Sequence, residues 1–105
     1  MKISNHQCEI YLLDFYGSLL TERQSEILAL YLNDDLSMQE IADELDISKS
    51  AVNDAIHHGM ESLNNYEQKL HMVKMFNERS EIYQKLKDLD IEEVNQLVNK
   101  LIDID

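Results

Sequence analysis

Residues 37–63 constrain the fold of this chain most, because two short amphipathic helices meet there across a tight turn. Ser37 and Glu40 have the spacing of a capping box, in which the N-cap residue and the third helical residue exchange hydrogen bonds between side chain and backbone. Ser48 is a candidate N-cap for a second helix. The first helix therefore has to end near Asp46. This arrangement is typical of a helix-turn-helix.

The apolar residues of this stretch recur at helical spacing and predict its buried side. They are Ile41, Leu45, Ile47, Val52, Ala55, Ile56, Met60 and Leu63. Ala42 is small and lets the two helices approach closely. Asp46 occupies the turn position where many helix-turn-helix sequences carry glycine, and aspartate tolerates the left-handed backbone region better than most residues. The pattern favours a helix-turn-helix over a plain helical hairpin, although such a motif defines a geometry and not a function.

The rest of the chain predicts an all-α fold. Its 105 residues include no proline and only two glycines, and no strand-like alternation rises above the helical periodicity. We expect a helical core at residues 1–65, which contains the helix-turn-helix at residues 37–64. Residues 66–105 are expected to form a C-terminal helical extension that belongs to the same compact unit.

Two helices are predicted before the helix-turn-helix. The first ends near Tyr16, and Gly17 has the position of a C′ residue that follows a helix. Thr21 and Gln24 have the spacing of a second capping box. The helix that they open has an inward side formed by Ile27, Leu28 and Tyr31.

Two more helices are predicted in the C-terminal extension. The segment 66–89 carries charges of alternating sign, which is typical of a solvated helix face. Asp90 and Glu93 have the spacing of another capping box, and they open an amphipathic final helix. Its apolar stripe consists of Ile91, Val94, Leu97, Val98, Leu101 and Ile102. This stripe can fold back on the preceding helix or pair with a second chain, and its size leads us to expect a homodimer through this helix.

The charge of the chain is strongly acidic. Twenty-one Asp and Glu residues against nine Lys and Arg residues give a formal net charge of −12, which opposes approach to phosphate polymers and anionic membranes. Between residues 21 and 65 there are ten acidic residues but only two basic ones, Arg23 and Lys49. The helix-turn-helix itself is therefore acidic.

Several features predict a cytoplasmic protein without an enzymatic centre. No apolar run approaches the ~20 residues that span a bilayer, and the N-terminus lacks the apolar core of a signal peptide. The single cysteine, Cys8, suits a reducing compartment. His57 and His58 are adjacent, so on a helix they point about 100° apart and do not share a metal ion. We expect no metal, no cofactor and no catalysis, because no phosphate-binding glycine loop or nucleophile motif is present.

The second helix of the motif carries the candidate binding residues, because a DNA-reading helix-turn-helix presents that helix to the major groove. The candidate nucleic-acid-binding residues are Lys49, Ser50, Asn53, His57 and His58. Asn and Lys side chains read base edges and Ser contacts phosphate, whereas histidine adds positive charge only when protonated. Asp54 lies among them and opposes phosphate binding. Nucleic-acid recognition and simple solvation of a structural helix both remain open.

Three stretches of the sequence together resemble one bacterial family. They are Leu-Leu-Asp-Phe-Tyr-Gly-Ser-Leu-Leu-Thr-Glu-Arg-Gln at residues 12–24, the helix-turn-helix at residues 37–56, and Tyr-Glu-Gln-Lys-Leu at residues 66–70. The family is YlxM, and the resemblance covers essentially the whole chain. It implies a helix-turn-helix like region 4 of sigma factors, with a winged-helix-like three-helical core without a wing and a C-terminal helical extension. Family members often carry basic residues near the places held here by His57, His58 and Gly59.

The resemblance also implies a cellular role. Genes of this family commonly adjoin those of the signal-recognition-particle GTPase and its receptor, which implies a role in, or regulation of, that pathway. Two kinds of function remain open. One is a regulatory protein that binds DNA, or the particle's RNA, through the five candidate residues. The other is an acidic adaptor that binds a basic protein partner, such as the signal-recognition-particle GTPase or its receptor, without binding DNA.

Overall fold

The computed structural model describes residues 5–105, which form six α-helices and one turn of 3₁₀-helix. The helices are α1 (Asn5–Tyr16), α2 (Glu22–Leu32), α3 (Met38–Leu45), α4 (Lys49–Leu70), α5 (Met72–Asp88) and α6 (Glu92–Ile104), and the 3₁₀ turn is Gly17–Leu19. No strand occurs in this part of the chain, so the predicted all-α fold is confirmed. Residues 1–4 of the predicted core lie outside the described residues.

The described residues form two compact units, divided between His71 and Met72. Helices α1–α4 belong to the first unit, and α5 and α6 belong to the second. In the first unit α4 contacts α1, α2 and α3, and α2 also contacts α1 and α3. The predicted boundary at residue 65 lies inside α4. That the core and the extension form one compact unit stays a prediction.

The helix-turn-helix consists of α3, a short turn and α4, and its caps are those predicted. The Ser37 hydroxyl accepts a hydrogen bond from the Glu40 backbone N–H at 3.1 Å, and the Ser37 N–H donates to Glu40 Oε1 at 3.0 Å. Hydrogen bonds from the backbone and then the side chain of Ser37 lower the pKa of the Glu40 carboxyl from its ordinary value of 4.5. The contact therefore stabilises the fold above pH 4.5 and is lost as the pH falls through the lowered pKa. The Ser48 hydroxyl accepts from the Ala51 N–H at 3.0 Å and begins α4.

The turn between the two helices depends on the backbone of Asp46, which has φ 54° and lies in the left-handed region. Its N–H still donates to the Ala42 carbonyl, and the N–H of Ile47 donates to the same carbonyl at 3.0 Å. These bonds satisfy the end of α3 and turn the chain sharply toward α4. The predicted end of the first helix at Asp46 is therefore correct.

The left-handed turn leads to a testable prediction on stability. Asp46→Gly should leave the free energy of unfolding unchanged or raise it by up to about 1 kcal/mol, since glycine adopts positive φ at no steric cost. Asp46→Ala should lower it by about 1 kcal/mol. Urea unfolding followed by circular dichroism measures both. Glu44→Gly, in the last turn of α3 where φ is not positive, is the control and should lose about 0.5–1 kcal/mol. Equal losses in the two glycine variants would contradict the left-handed turn.

The core of the first unit is apolar and comes from all four of its helices. Its buried residues are Leu12, Leu13, Tyr16, Ile27, Leu28, Leu32, Ile41, Ala42, Val52, Ile56 and Leu63. The sequence pattern had placed Leu45, Ile47, Ala55 and Met60 inward as well, and these four are only half-buried. One side of each of these side chains is covered by the core, and the other side is in contact with solvent.

Helix α4 is longer than predicted. The pattern indicated an end near Leu63 and a separate helix over residues 66–89, but α4 runs without interruption to Leu70 and ends at His71, which has φ 55°. The additional turns are held by α1: the Tyr16 hydroxyl donates to Glu67 Oε1 at 2.7 Å, and the Tyr16 ring centroid lies 5.9 Å from that of Tyr66. This contact over a long sequence separation decides where the helix ends.

The predicted end of the first helix was assigned to the wrong mechanism. Gly17 does not have positive φ; it begins the 3₁₀ turn, and its carbonyl accepts from the Leu20 N–H at 3.1 Å. Glycine fits this position because of its small size, since a Cβ there would lie only 3.2 Å from Leu13 Cδ1. The Thr21–Gln24 capping box that follows is present, with bonds of 3.2 and 3.3 Å.

In the second unit α6 packs against α5, so the alternative in which the last helix folds back is observed. Asp90 does not form the predicted capping box: it has φ 54°, and Ile91 is the N-cap without a side-chain bond. The chain reverses direction within the three residues between α5 and α6, and the left-handed backbone of Asp90 makes this reversal. At the other end of α6, Asp105 accepts hydrogen bonds from Tyr83 Oη at 2.7 Å and Arg79 Nε at 3.3 Å. The bond to Asp105 raises the pKa of Tyr83.

Candidate nucleic-acid interface

All five predicted contact residues lie in the first three turns of α4. Lys49, Ser50, His57 and His58 are exposed, and Asn53 is half-buried. The structure therefore places them on one helix beside the turn, as the helix-turn-helix pattern predicted. Their participation in binding stays a prediction.

The angular order of these residues around α4 shows which of them occupy the centre of the exposed side. Val52, Ile56, Gly59 and Leu63 define the buried side. At about 100° per residue, Ser50 lies about 30° and His57 and His58 about 50° from the direction opposite to it. Asn53 lies about 90° away and Lys49 about 130° away. The one lysine among the five thus lies nearer to the buried direction of α4 than to the centre of its exposed side.

The centre of the exposed side is acidic. Asp54 and Glu61 both lie within about 20° of the direction opposite to the buried residues, because seven residues make nearly two helical turns. Both side chains are exposed. Glu61 lies within the predicted helix, which was expected to end near Leu63, but it was not among the predicted surface residues. Its spacing of seven residues from Asp54 is the signal that identifies it. We call Ser50, Asp54, His57, His58 and Glu61 the α4 surface.

Helix α3, which contacts α4, carries three further exposed acidic residues. Glu40, Asp43 and Glu44 are all exposed. Two of these carboxylates make local contacts, since Glu40 caps its own helix and Asp43 Oδ1 accepts from Gln39 Nε2 at 2.9 Å. These local bonds do not remove the negative charge. Screening at physiological ionic strength acts over about 8 Å, so the carboxylates nearest to a bound phosphate would still repel it.

The family resemblance had associated position 59 with basic residues near the recognition surface. In this chain Gly59 is buried and faces α2, where a Cβ would lie 2.7 Å from Leu28 Cδ1. Position 59 therefore belongs to the core. The α4 surface is confined to positions on the opposite side of the helix.

Other kinds of site are not formed in the described part of the chain. Between residues 5 and 105 no three His, Cys, Asp or Glu side chains come together in a group that would hold a metal ion. None of the helices α1–α6 is both long enough and apolar enough to cross a bilayer. Cys8 is a free thiol and is half-buried.

Comparison with known proteins agrees with this geometry. Residues 4–103 match UPF0122, the family of YlxM / p13-like helix-turn-helix proteins. This chain belongs to that family. YlxM of Bacillus subtilis (strain 168) is 43% identical over 100 residues, which cover 90% of this chain and 91% of the relative. A UPF0122 protein of Halalkalibacterium halodurans is 50% identical over 78 residues, covering 74% and 72%.

A third relative is similar over nearly the same length. The UPF0122 protein of Bacillus cereus (strain AH187) is 44% identical over 95 residues, which cover 89% of this chain and 86% of the relative. The matched regions include both units of the fold. The predicted family is therefore confirmed for the helix-turn-helix and for the α5–α6 hairpin.

Proposed function

We propose that this UPF0122 protein is a non-enzymatic, DNA-binding regulatory protein whose recognition helix is α4. As the family resemblance implies, we propose that it takes part in, or regulates, the signal-recognition-particle pathway. The proposed ligand is duplex DNA, with the particle's RNA as the related alternative. Contact is made through Lys49, Ser50, Asn53, His57 and His58.

One observation carries this proposal: the helix-turn-helix presents the first turns of α4 to solvent with polar side chains suited to reading bases. Asn53 can form a bidentate pair with adenine, and Ser50 can bond a phosphate oxygen. The chemistry supports sequence reading more than non-specific binding, which needs several basic residues on one surface.

A specific observation also favours a second function, that of an acidic adaptor for a protein partner. Asp54 and Glu61 occupy the centre of the α4 surface, and α3, which contacts α4, carries three more exposed carboxylates. A surface of this charge fits a basic protein, such as a GTPase domain that itself handles RNA. The signal-recognition-particle GTPase and its receptor are the candidates implied by the family.

One substitution separates the two functions by the sign of its effect. Asp54→Asn removes a negative charge at the centre of the α4 surface and keeps the shape of the side chain. If the surface binds DNA, duplex affinity should rise about three- to tenfold, up to about 1.4 kcal/mol. If it binds a basic protein, affinity for the purified signal-recognition-particle GTPase should fall by a similar factor. Fluorescence anisotropy with a duplex selected in vitro, and with the labelled GTPase, measures both.

The control is Asp14→Asn, which makes the same charge change on an exposed residue of α1. It should change either affinity by less than about twofold, since Asp14 lies on a different helix from the proposed contact residues and salt screens exposed charges. Absence of duplex binding at low salt, together with GTPase binding that Asp54→Asn weakens, would reject the DNA-binding function in favour of the adaptor. A loss of duplex affinity in Asp54→Asn would contradict the expected repulsion between this carboxylate and DNA.

A further inference from the structure

The α5–α6 hairpin leaves most of its large apolar side chains exposed. Among its residues only Val73 and Val98 are buried, at 5% and 1% exposure. Nine large apolar side chains between residues 72 and 105 are 41–81% exposed. Six of them share a spacing along the two helices: Met75, Ile82, Leu89, Leu97, Leu101 and Ile104. Two packed helices alone do not enclose a core, because each helix needs its whole apolar stripe covered.

These six residues form two straight stripes. Met75, Ile82 and Leu89 follow one another at intervals of seven, so they lie along one side of α5 and its C-terminal end. Leu97, Leu101 and Ile104 are spaced by four and three and lie along one side of α6. The sequence pattern had placed Leu97, Val98 and Leu101 on one inward stripe, but of these three only Val98 is buried.

The two stripes lie on the same side of the hairpin. Phe76 and Tyr83 mark the side of α5 that faces α6, and Val98 and Asp105 mark the side of α6 that faces α5. On each helix the exposed stripe is turned about 100° from that contact side, in the same sense when viewed from the helix N-terminus. Because the helices are antiparallel, equal rotations in the same sense bring both stripes to one common side.

From this geometry we propose that the common side, which we call the hairpin face, binds the hairpin face of a second copy of this chain and forms a two-fold dimer with a four-helix interface. The six side chains together offer roughly 600 Å² of exposed surface, which with the stems of neighbouring lysines approaches the ~800 Å² per partner of a standard interface. Monomers rarely leave an apolar patch of this size uncovered.

The charge distribution favours self-association at the hairpin rather than elsewhere. Residues 2–71 contain 13 acidic and four basic residues, a net charge of −9, while residues 72–105 contain eight acidic and five basic residues, a net charge of −3. Two copies therefore meet with least repulsion through their hairpins. The margin of the hairpin face carries both signs, with Lys85 on α5 and Glu93 and Lys100 on α6. Opposite charges can therefore meet across a two-fold axis.

Sedimentation equilibrium of the full chain, from low to high micromolar concentration, tests the proposal. We expect a reversible dimer. Leu97→Lys on α6 and Ile82→Glu on α5 should each weaken it at least about tenfold, because both place a charge in the apolar contact. Asn99→Lys, an exposed change on another side of α6, should leave the dissociation constant within about twofold. Circular dichroism verifies that each variant keeps its helices.

Salt gives an independent measurement. Raising the salt concentration from about 0.1 to 1 M shortens the Debye length from about 10 to 3 Å, which screens the repulsion between two acidic chains and should strengthen the dimer. A wild-type monomer at every concentration would overturn the proposal. If Leu97→Lys weakened the dimer but Ile82→Glu did not, the interface would involve α6 only, and the hairpin face formed by both helices would be wrong. Dissociation of the dimer by added salt would show that the contact is not apolar.

Discussion

Val52→Asp should unfold most of the first unit. Val52 is fully buried in the first turn of α4, at 0% exposure, and α4 contacts the three other helices of that unit. An aspartate there buries a carboxylate without a partner, and this mechanism costs several kcal/mol. A domain of this size has a total stability of about 5–15 kcal/mol, so the loss is a large part of it. In urea unfolding followed by circular dichroism, the urea concentration at the midpoint should fall strongly, toward zero.

The control introduces an aspartate two positions earlier, at Ser50. Ser50 is exposed and lies close to the N-terminus of α4. An aspartate at this end of a helix interacts favourably with the helix dipole, so Ser50→Asp should be neutral or stabilising by up to about 0.5 kcal/mol. Val52→Ala separates lost packing from buried charge and should cost less than Val52→Asp. If Val52→Asp lost no more than Ser50→Asp, the buried side of α4 would be wrongly placed.

Gly59→Leu should lower the free energy of unfolding by about 3 kcal/mol or more, although leucine has a better helix propensity than glycine by nearly 1 kcal/mol. Gly59 is buried in the middle of α4, and a Cβ there would lie 2.7 Å from Leu28 Cδ1 on α2. Leu28 is itself 0% exposed, so it has little room to move. The overlap forces α2 and α4 apart, and this costs more than the propensity gains.

Two further variants decide whether the overlap is the cause. Asn64→Leu makes a similar gain in helix propensity at an exposed position of the same helix, so it should not destabilise the fold. Leu28→Ala alone should cost about 2–5 kcal/mol, but in the Gly59→Leu background it should cost much less, because the new leucine fills the space. Additive losses in this double-mutant cycle would show that Gly59 does not pack against Leu28.

The local sequence was sufficient to predict the helix-turn-helix. Ser37, Glu40 and Ser48 cap helices whose positions follow from hydrogen bonds within four residues, and Asp46 ends α3 because few residues adopt a left-handed turn easily. The five proposed contact residues on α4 could be identified for the same reason. Glu61 was missed, although its spacing from Asp54 was visible in the sequence.

The sequence by itself determined the all-α class, the two capping boxes of the first unit, the acidic charge and the family. These follow from spacing, composition and contacts over a few residues. Only the tertiary structure decided that α4 continues to Leu70, because the contact of Tyr16 with Glu67 joins residues 51 positions apart. It also decided that Gly59 belongs to the core and that Leu97 faces solvent while Val98 faces α5. A helical repeat shows which residues share a side, but the neighbouring helices decide which part of that side is covered.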